Sequence, residues 1–269
     1  MISTQIESGS CCSAFYEQDW VRHLAEDSFH PGGEELTRRT IAAMGLPGHA
    51  TIADLGCGTG TTAIMLARDY DLMVSAVDIS AVNIERAVER ANSSCVSVRF
   101  NQADIHALPF EDRELDGVLA ECAFSLSKQQ PTVLAEIRRV LKPGGKLALT
   151  DMATGGALPD DIAGVLAPWT CLADAVDQET YTEMFEAAGF EIEAVADESA
   201  GLTDLVHMLK RKLLLLGTGA VLIDGPVQGF GLDLKNIRFW LDRFETEIEK
   251  GSIRYLRLNL RLQDSAIAC

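Results

Sequence analysis

The feature that most constrains this chain is a junction in three parts: Thr51-Ile-Ala-Asp-Leu55, then Gly56-Cys-Gly-Thr-Gly60, then Thr61-Thr-Ala-Ile-Met-Leu-Ala67. The first part is too short and too apolar for a surface element and reads as a buried strand. Glycines at alternate positions permit tight backbone turns, and the third part reads as a helix whose first N–H groups have no intrahelical partner. The three together predict a strand that delivers a glycine-rich turn onto a helix N-terminus, an arrangement suited to a nucleotide-like ligand. The spacing differs from G-x-G-x-x-G and no Gly-Lys-Ser/Thr follows, so neither the dinucleotide fingerprint nor a phosphate-binding loop is present.

Later segments agree with that reading, in order. Leu72-Met-Val-Ser-Ala-Val-Asp-Ile79 is a second apolar run ending in Asp78, about 20 residues past the glycine turn, where a carboxylate can accept ribose hydroxyls. Asp78 is otherwise an ordinary strand-end aspartate. Val96-Ser-Val-Arg-Phe-Asn-Gln-Ala-Asp-Ile105 alternates as a strand and leads into Ala103 and Asp104, the latter also readable as a solvated turn residue. A fourth strand is expected by Ala120. Leu134 to Asp151 then reads as a helix, a Pro-Gly-Gly turn and a fifth strand. Strands and helices alternating from 51 to 151 predict a parallel sheet covered on both faces, with the ligand at the carboxyl ends of the strands.

The set, acidic-apolar-G-x-G-x-G at 54–60 followed by acidic strand ends and the Leu-Lys-Pro-Gly-Gly segment, resembles the class I S-adenosylmethionine-dependent methyltransferases over roughly residues 30 to 198. The resemblance implies a doubly wound, mostly parallel seven-stranded α/β sheet of Rossmann-like type, with S-adenosyl-L-methionine as cofactor. It implies that Asp54 and the turn Gly56, Cys57 and Gly58 hold the methionine portion, whose ammonium a carboxylate can pair with. Asp78 and Ile79 then serve the ribose, Ala103, Asp104 and Ile105 lie along the adenine, and Glu121 and Tyr16 complete the cofactor-binding set.

Four segments are expected. Residues 1–48 form an N-terminal helical lid, in which Tyr16 and Trp20 either line the cofactor or simply pack. His30-Pro-Gly-Gly turns the chain into a helix running to about Met44, stopped by Gly45. Residues 49–198 form the cofactor-binding core, with a helix at about 178–188 and a sixth strand at 190–196. Residues 199–251 form a helical insert that caps the substrate pocket or, through its apolar stripes, makes a homodimer. Residues 252–269 carry the last strand and a tail, Ile253 to Leu262 having the period-two alternation of a strand that lies antiparallel beside the sixth.

Charge restricts the partners. The chain has 269 residues, with 23 basic against 40 acidic and a net charge of −17, which disfavours phosphate backbones and anionic membrane surfaces. A small-molecule methyl acceptor is expected rather than nucleic acid or membrane. No apolar run has the length of a bilayer span and the N-terminus lacks a secretion pattern, so a cytoplasmic protein is expected. Seven cysteines without a C-x-x-C pair suggest neither a disulfide scaffold nor a structural zinc site, and no metal ligand is assigned.

The acceptor is read from the cysteines. Gly117-Val-Leu-Ala-Glu-Cys-Ala-Phe-Ser-Leu126 and Thr170-Cys171-Leu172 look most like the arsenite methyltransferase branch and related small-acceptor enzymes, in which a cysteine follows the fourth strand and another lies in the loop after the fifth. Cys122 and Cys171 match those places and, with Glu121, are the candidate catalytic residues. The branch's further cysteine after the glycine turn has no counterpart at 61–64, although Cys11 and Cys12 lie in the lid segment. Converging thiolates suit a soft acceptor such as a thiol, sulfide or trivalent arsenic. Both cysteines can also be small buried hydrophobes. For a thiol acceptor, His30, His106, His207 or Glu121 is the candidate base. Two alternatives stay open: C- or O-methylation of a small hydrophobic metabolite, and a non-catalytic sensor that binds the cofactor.

Overall fold

The structure is a computed structural model that describes residues 30–166, 170–172, 174–215 and 237–264. Seven strands form one sheet in the order β3-β2-β1-β4-β5-β7-β6. They are β1 (Thr51–Leu55), β2 (Met73–Asp78), β3 (Arg99–Gln102), β4 (Leu115–Glu121), β5 (Leu141–Thr154), β6 (Phe190–Asp197) and β7 (Ile253–Leu262). β1 to β5 pair in parallel, while β7 runs antiparallel between β5 and β6. This is the doubly wound, mostly parallel α/β sheet expected from the sequence. The helices are α1 (Gly33–Met44), α2 (Thr61–Asp69), α3 (Ala81–Ser93), α4 (Gln130–Val140), α5 (Gln178–Ala187), α6 (Ser199–Leu215) and α7 (Ile237–Glu249).

Central strands read as continuous apolar runs because both of their faces are covered. Along β1, β4 and β5 alternate residues go to opposite sides. Ala53, Val118 and Leu147 pack with Val133, Ile137 and Phe185 of α4 and α5. Ile52, Leu119 and Ala148 pack with Ile41 and Met44 of α1 and Ala63 and Leu66 of α2. A third cluster lies beyond the strand ends, where Met152, Cys171, Leu172 and Tyr255 meet Leu202 and Val206 of α6 and Ile248 of α7, with Trp240 and Phe244 half-buried against them.

Two elements differ from expectation. β3 is only Arg99–Gln102, shorter than the alternating run, because it is an edge strand that pairs with β2 alone and Val96 N–H is taken by Ala91 O at the end of α3. Pro143-Gly-Gly145 is not a turn between helix and strand. α4 ends at Val140 and β5 begins at once, so these residues form a bulge: β4 steps from Leu115 to Gly117 while β5 steps from Leu141 to Lys146. Elsewhere among the described residues the expected strands and helices are present. α1 stops at Gly45, whose N–H returns to Ala42 O, and α6 and α7 occupy the 199–251 stretch. Tyr16, Trp20, Cys11 and Cys12 lie outside the described residues, as do 216–236 between α6 and α7. No described helix is long and apolar enough to cross a membrane.

Candidate active site

The carboxyl ends of β1, β2 and β4 bring three acids together. Asp54, on β1, is 2% exposed and its Oδ2 has no hydrogen-bond partner among the described residues. Its pKa is pushed well up, first by burial and then by the neighbouring charges of Glu121 and Asp78. The glycine turn beside it is fixed from β2: Gly56 and Cys57 N–H donate to Val77 O at 2.8 and 3.0 Å, and Gly58 N–H donates to Asp78 Oδ2 at 2.8 Å. Asp78 Oδ1 accepts Ser80 N–H at 2.9 Å, so this carboxylate braces the turn as well as ending the strand. Gly56 has φ +73°, and a Cβ there would stand 2.7 Å from Ala123 Cβ, so the turn is closed against the segment that follows β4.

Glu121 ends β4 and is nearly enclosed. Thr37 Oγ1 of α1 donates to its Oε1 at 2.9 Å, Thr62 Oγ1 of α2 donates to Oε2 at 3.0 Å, and His30 Nε2 lies 3.4 Å from Oε2. Thr37 and Thr62 are site residues that the sequence did not single out, since a threonine on an amphipathic helix has no local signature. On the other flank, Ala103 N–H donates to Asp78 O at 3.0 Å and pins the 103–106 turn beside β2. Ala103 and Ile105 pack on the core. Asp104 is half-exposed and bonded to His106, while Ile79 turns a 51% exposed side chain outward.

A second group lies behind the ends of β4 and β5. Sγ of Cys122, Sγ of Cys171 and a carboxylate oxygen of Asp151 all lie within 4.8 Å of one another. The two cysteines, 49 residues apart in the chain, are also linked by Cys171 Sγ–H to Cys122 O at 3.5 Å. Cys122 sits at φ +50°, just past β4, with its N–H on Thr150 O at 2.8 Å, which aims its side chain toward β5 and β7. Its pKa is pushed well up, first by the hydrogen bond with Cys171 and then by burial. Asp151 is fully buried and its carboxyl is pushed up to about 6 by burial, against the opposing hydrogen bonds of Ser125 and the Met152 amide. Ser125 donates from both its N–H (2.9 Å) and its hydroxyl. Asp151 and Tyr255 were not singled out from sequence. A polar Thr150-Asp151 step closing an apolar strand is a signal for the first, and Tyr255 is one alternating residue of β7 among several.

Cys57 is half-buried, its Sγ 3.8 Å from Gly58 O, with a pKa raised by burial and by Asp54 and Asp78. Of the histidines offered as bases, His30 faces Glu121, His106 is held between Asp104 and Ser127, and His207 pairs with Glu245 of α7 at 2.5 Å.

Residues 48–189, more than half of the chain, match the family described as methyltransferase domain. The chain belongs to this family and is an S-adenosylmethionine-dependent methyltransferase. The O-methyltransferase cnsE of Penicillium expansum is 30% identical over 74% of this chain and 72% of that protein. The arsenite methyltransferase of Halobacterium salinarum is 31% identical over 71% of this chain, and this chain spans about half, 52%, of its length. Among solved structures, a Haemonchus contortus phosphoethanolamine N-methyltransferase 2 in complex with S-adenosyl-L-methionine superposes with a TM-score of 0.81 at 18% identity, covering 98% of this chain and 61% of that one.

The residues present fit this cofactor. A buried carboxylate oxygen without a partner at Asp54, in a cluster of three acids, is complementary to a ligand carrying an ammonium and a sulfonium.

Proposed function

We propose that the enzyme methylates a small soft nucleophile, a thiol, sulfide or trivalent arsenic, held at Cys122 and Cys171. The observation that carries this reading is the approach of two thiols, Cys122 half-buried and Cys171 buried, and the Asp151 carboxylate to within 4.8 Å at the strand ends adjoining the acidic cofactor cluster. The likeness to an arsenite methyltransferase supports it.

When bound, S-adenosylmethionine supplies a methyl group activated on a sulfonium. Asp54 would pair with its ammonium, Asp78 would take the ribose, Asp104 would take the adenine, and Glu121 would line the site beside the cationic ligand. Displacement at the methyl group needs alignment and exclusion of water more than an acid or base, and the apolar wall of Met152, Leu172, Trp240 and Phe244 provides the dry side. Trivalent arsenic, arriving as the trihydroxide, exchanges two hydroxides for the two thiols. Both thiol protons leave with those hydroxides as water. A thiol acceptor would instead lose its proton to Asp151, ionised above about pH 6, which would free its sulfur as the nucleophile for the methyl group.

The test is conversion of the cofactor to S-adenosylhomocysteine with arsenite, sulfide, methanethiol and a bulkier thiol offered separately, with volatile products identified by mass. Turnover with none of them, but with a hydroxylated or carbanionic apolar metabolite, would establish the second reading. That reading, C- or O-methylation of a small hydrophobic metabolite, is favoured by the aromatic face of α7 toward the site and by the likeness to cnsE.

A further inference from the structure

His106 bridges two elements that the cofactor reading keeps apart. Its Nδ1 lies 2.5 Å from Asp104 Oδ1, its own N–H donates to the same oxygen at 2.9 Å, and its Nε2 lies 2.8 Å from Ser127 Oγ. An ionised carboxylate has no proton to give, so in the neutral ring Nδ1–H is the donor to Asp104 and Nε2 accepts from Ser127. The second assignment is reinforced from the residue that precedes α4: Gln129 N–H donates to Ser127 Oγ at 3.1 Å, which leaves the serine proton directed at the ring. Ser127 N–H in turn closes on Phe124 O at 3.1 Å, so the serine is fixed at both ends of its own turn.

An Asp–His–Ser series is also the order of a hydrolytic triad, but the geometry here is of another kind. Ser127 is only 4% exposed and its oxygen accepts the Gln129 N–H. The exposed end of the series is the carboxylate, 49% accessible, at the turn that Ala103 N–H pins to Asp78 O beside the glycine turn. The buried serine is the anchor, the imidazole the strut, and the carboxylate the group presented.

We propose that His106 and Ser127 are positioning residues that hold the Asp104 carboxylate in one orientation as the acceptor for the exocyclic amine of the cofactor's adenine. This rests on the reading that Asp104 faces the adenine. A carboxylate on an exposed turn has freedom about its side-chain bonds, and hydrogen bonds to Oδ1 from the ring and the backbone leave Oδ2 as the face offered outward. The consequence is selectivity: adenine donates a proton at this edge, whereas hypoxanthine places a carbonyl oxygen against the carboxylate and leaves it unpaired.

The experiment measures dissociation constants of S-adenosylhomocysteine and S-inosylhomocysteine by calorimetry, with melting temperatures alongside, for the native protein and for Asp104→Ala, His106→Phe and Ser127→Ala. The native protein is expected to prefer the adenosine ligand by about tenfold or more, the range of a hydrogen bond to a charged group. His106→Phe should bring that preference to within a few-fold of unity, Ser127→Ala should reduce it in part, and adding His106→Phe to Asp104→Ala should reduce it no further. A preference that survives in both His106→Phe and Ser127→Ala, while Asp104→Ala removes it, overturns the positioning role. A preference that survives in Asp104→Ala overturns the adenine reading itself, a separate result. If His106→Phe does not fold, the Ser127→Ala ratio decides the positioning role alone, since that change removes only one oxygen.

Discussion

The phenol of Tyr255 stands 3.3 Å from Cys122 Sγ and 3.0 Å from Thr150 Oγ1, so β7 reaches across β5 to touch the first residue after β4. Tyr255 is completely buried, and its hydroxyl acts against the other influences on Cys122 by favouring the thiolate. Tyr255→Phe is expected to cost about 1 to 2 kcal/mol of stability, because Thr150 keeps its hydroxyl in a dry site, and to slow alkylation of Cys122. Denaturant midpoints and mass-resolved alkylation rates measure the two effects. An alkylation rate equal to the native one would remove Tyr255 from any influence on the thiol.

Cys122→Ser and Cys171→Ser are expected to abolish turnover of a soft acceptor while leaving S-adenosylhomocysteine affinity within about twofold of native, since neither sulfur belongs to the acidic cofactor cluster. Calorimetry alongside the turnover assay separates the two. Parallel losses of melting temperature and activity would assign both cysteines to packing instead.

On the proposed thiol reading, Asp151 sets the acid side of the pH dependence. With its carboxyl pushed up to about 6, kcat/KM for a thiol should fall as pH drops through about 6. Ser125 favours the ionised form, so Ser125→Ala should move that limb to higher pH. A pH–rate profile that keeps its limb in the variant would exclude Asp151 as the titrating group.

Asp54 makes the ligand-free protein pH-sensitive in a defined sense. Its pKa is higher folded than unfolded, so its ionisation subtracts from stability: the penalty is absent below the ordinary carboxylate range and complete above the raised value. The melting temperature of ligand-free protein should therefore rise as pH is lowered from neutrality toward that range. Asp54→Asn should be more stable than native at neutral pH with a flatter dependence, yet bind S-adenosylhomocysteine about tenfold or more weakly. Scanning calorimetry across the range, with and without ligand, tests both halves. A variant less stable than native at neutral pH would show that the carboxylate is not penalised.

Gly56→Ala is expected to lower stability by about 2 kcal/mol or more, combining strain at φ +73° with contact against Ala123. Adding Ala123→Gly should restore part of that loss, because it relieves the contact but not the backbone strain. Urea denaturation of the single and double variants checks this, and an unchanged midpoint in Gly56→Ala would mean that the turn yields freely.

Local chemistry made much of the molecule legible. The buried strand at 51–55, the glycine turn, the acids Asp54 and Asp78 at strand ends, the stop at Gly45 and the alternation at 253–262 all depend on residues near one another in the chain, whose periods of two and 3.6 and whose turn preferences act over a few positions. The same locality explains the misses at β3 and at Pro143-Gly-Gly145, where pairing with a neighbouring strand overrode the local pattern. What only the tertiary structure decided is convergence: Cys122 with Cys171 and Asp151, Thr37 and Thr62 on Glu121, Tyr255 against Cys122, and His106 between Asp104 and Ser127. These contacts join segments up to 133 residues apart. They are set by strand order, by register and by which helix face meets the sheet, and none of these is encoded by any short stretch taken alone.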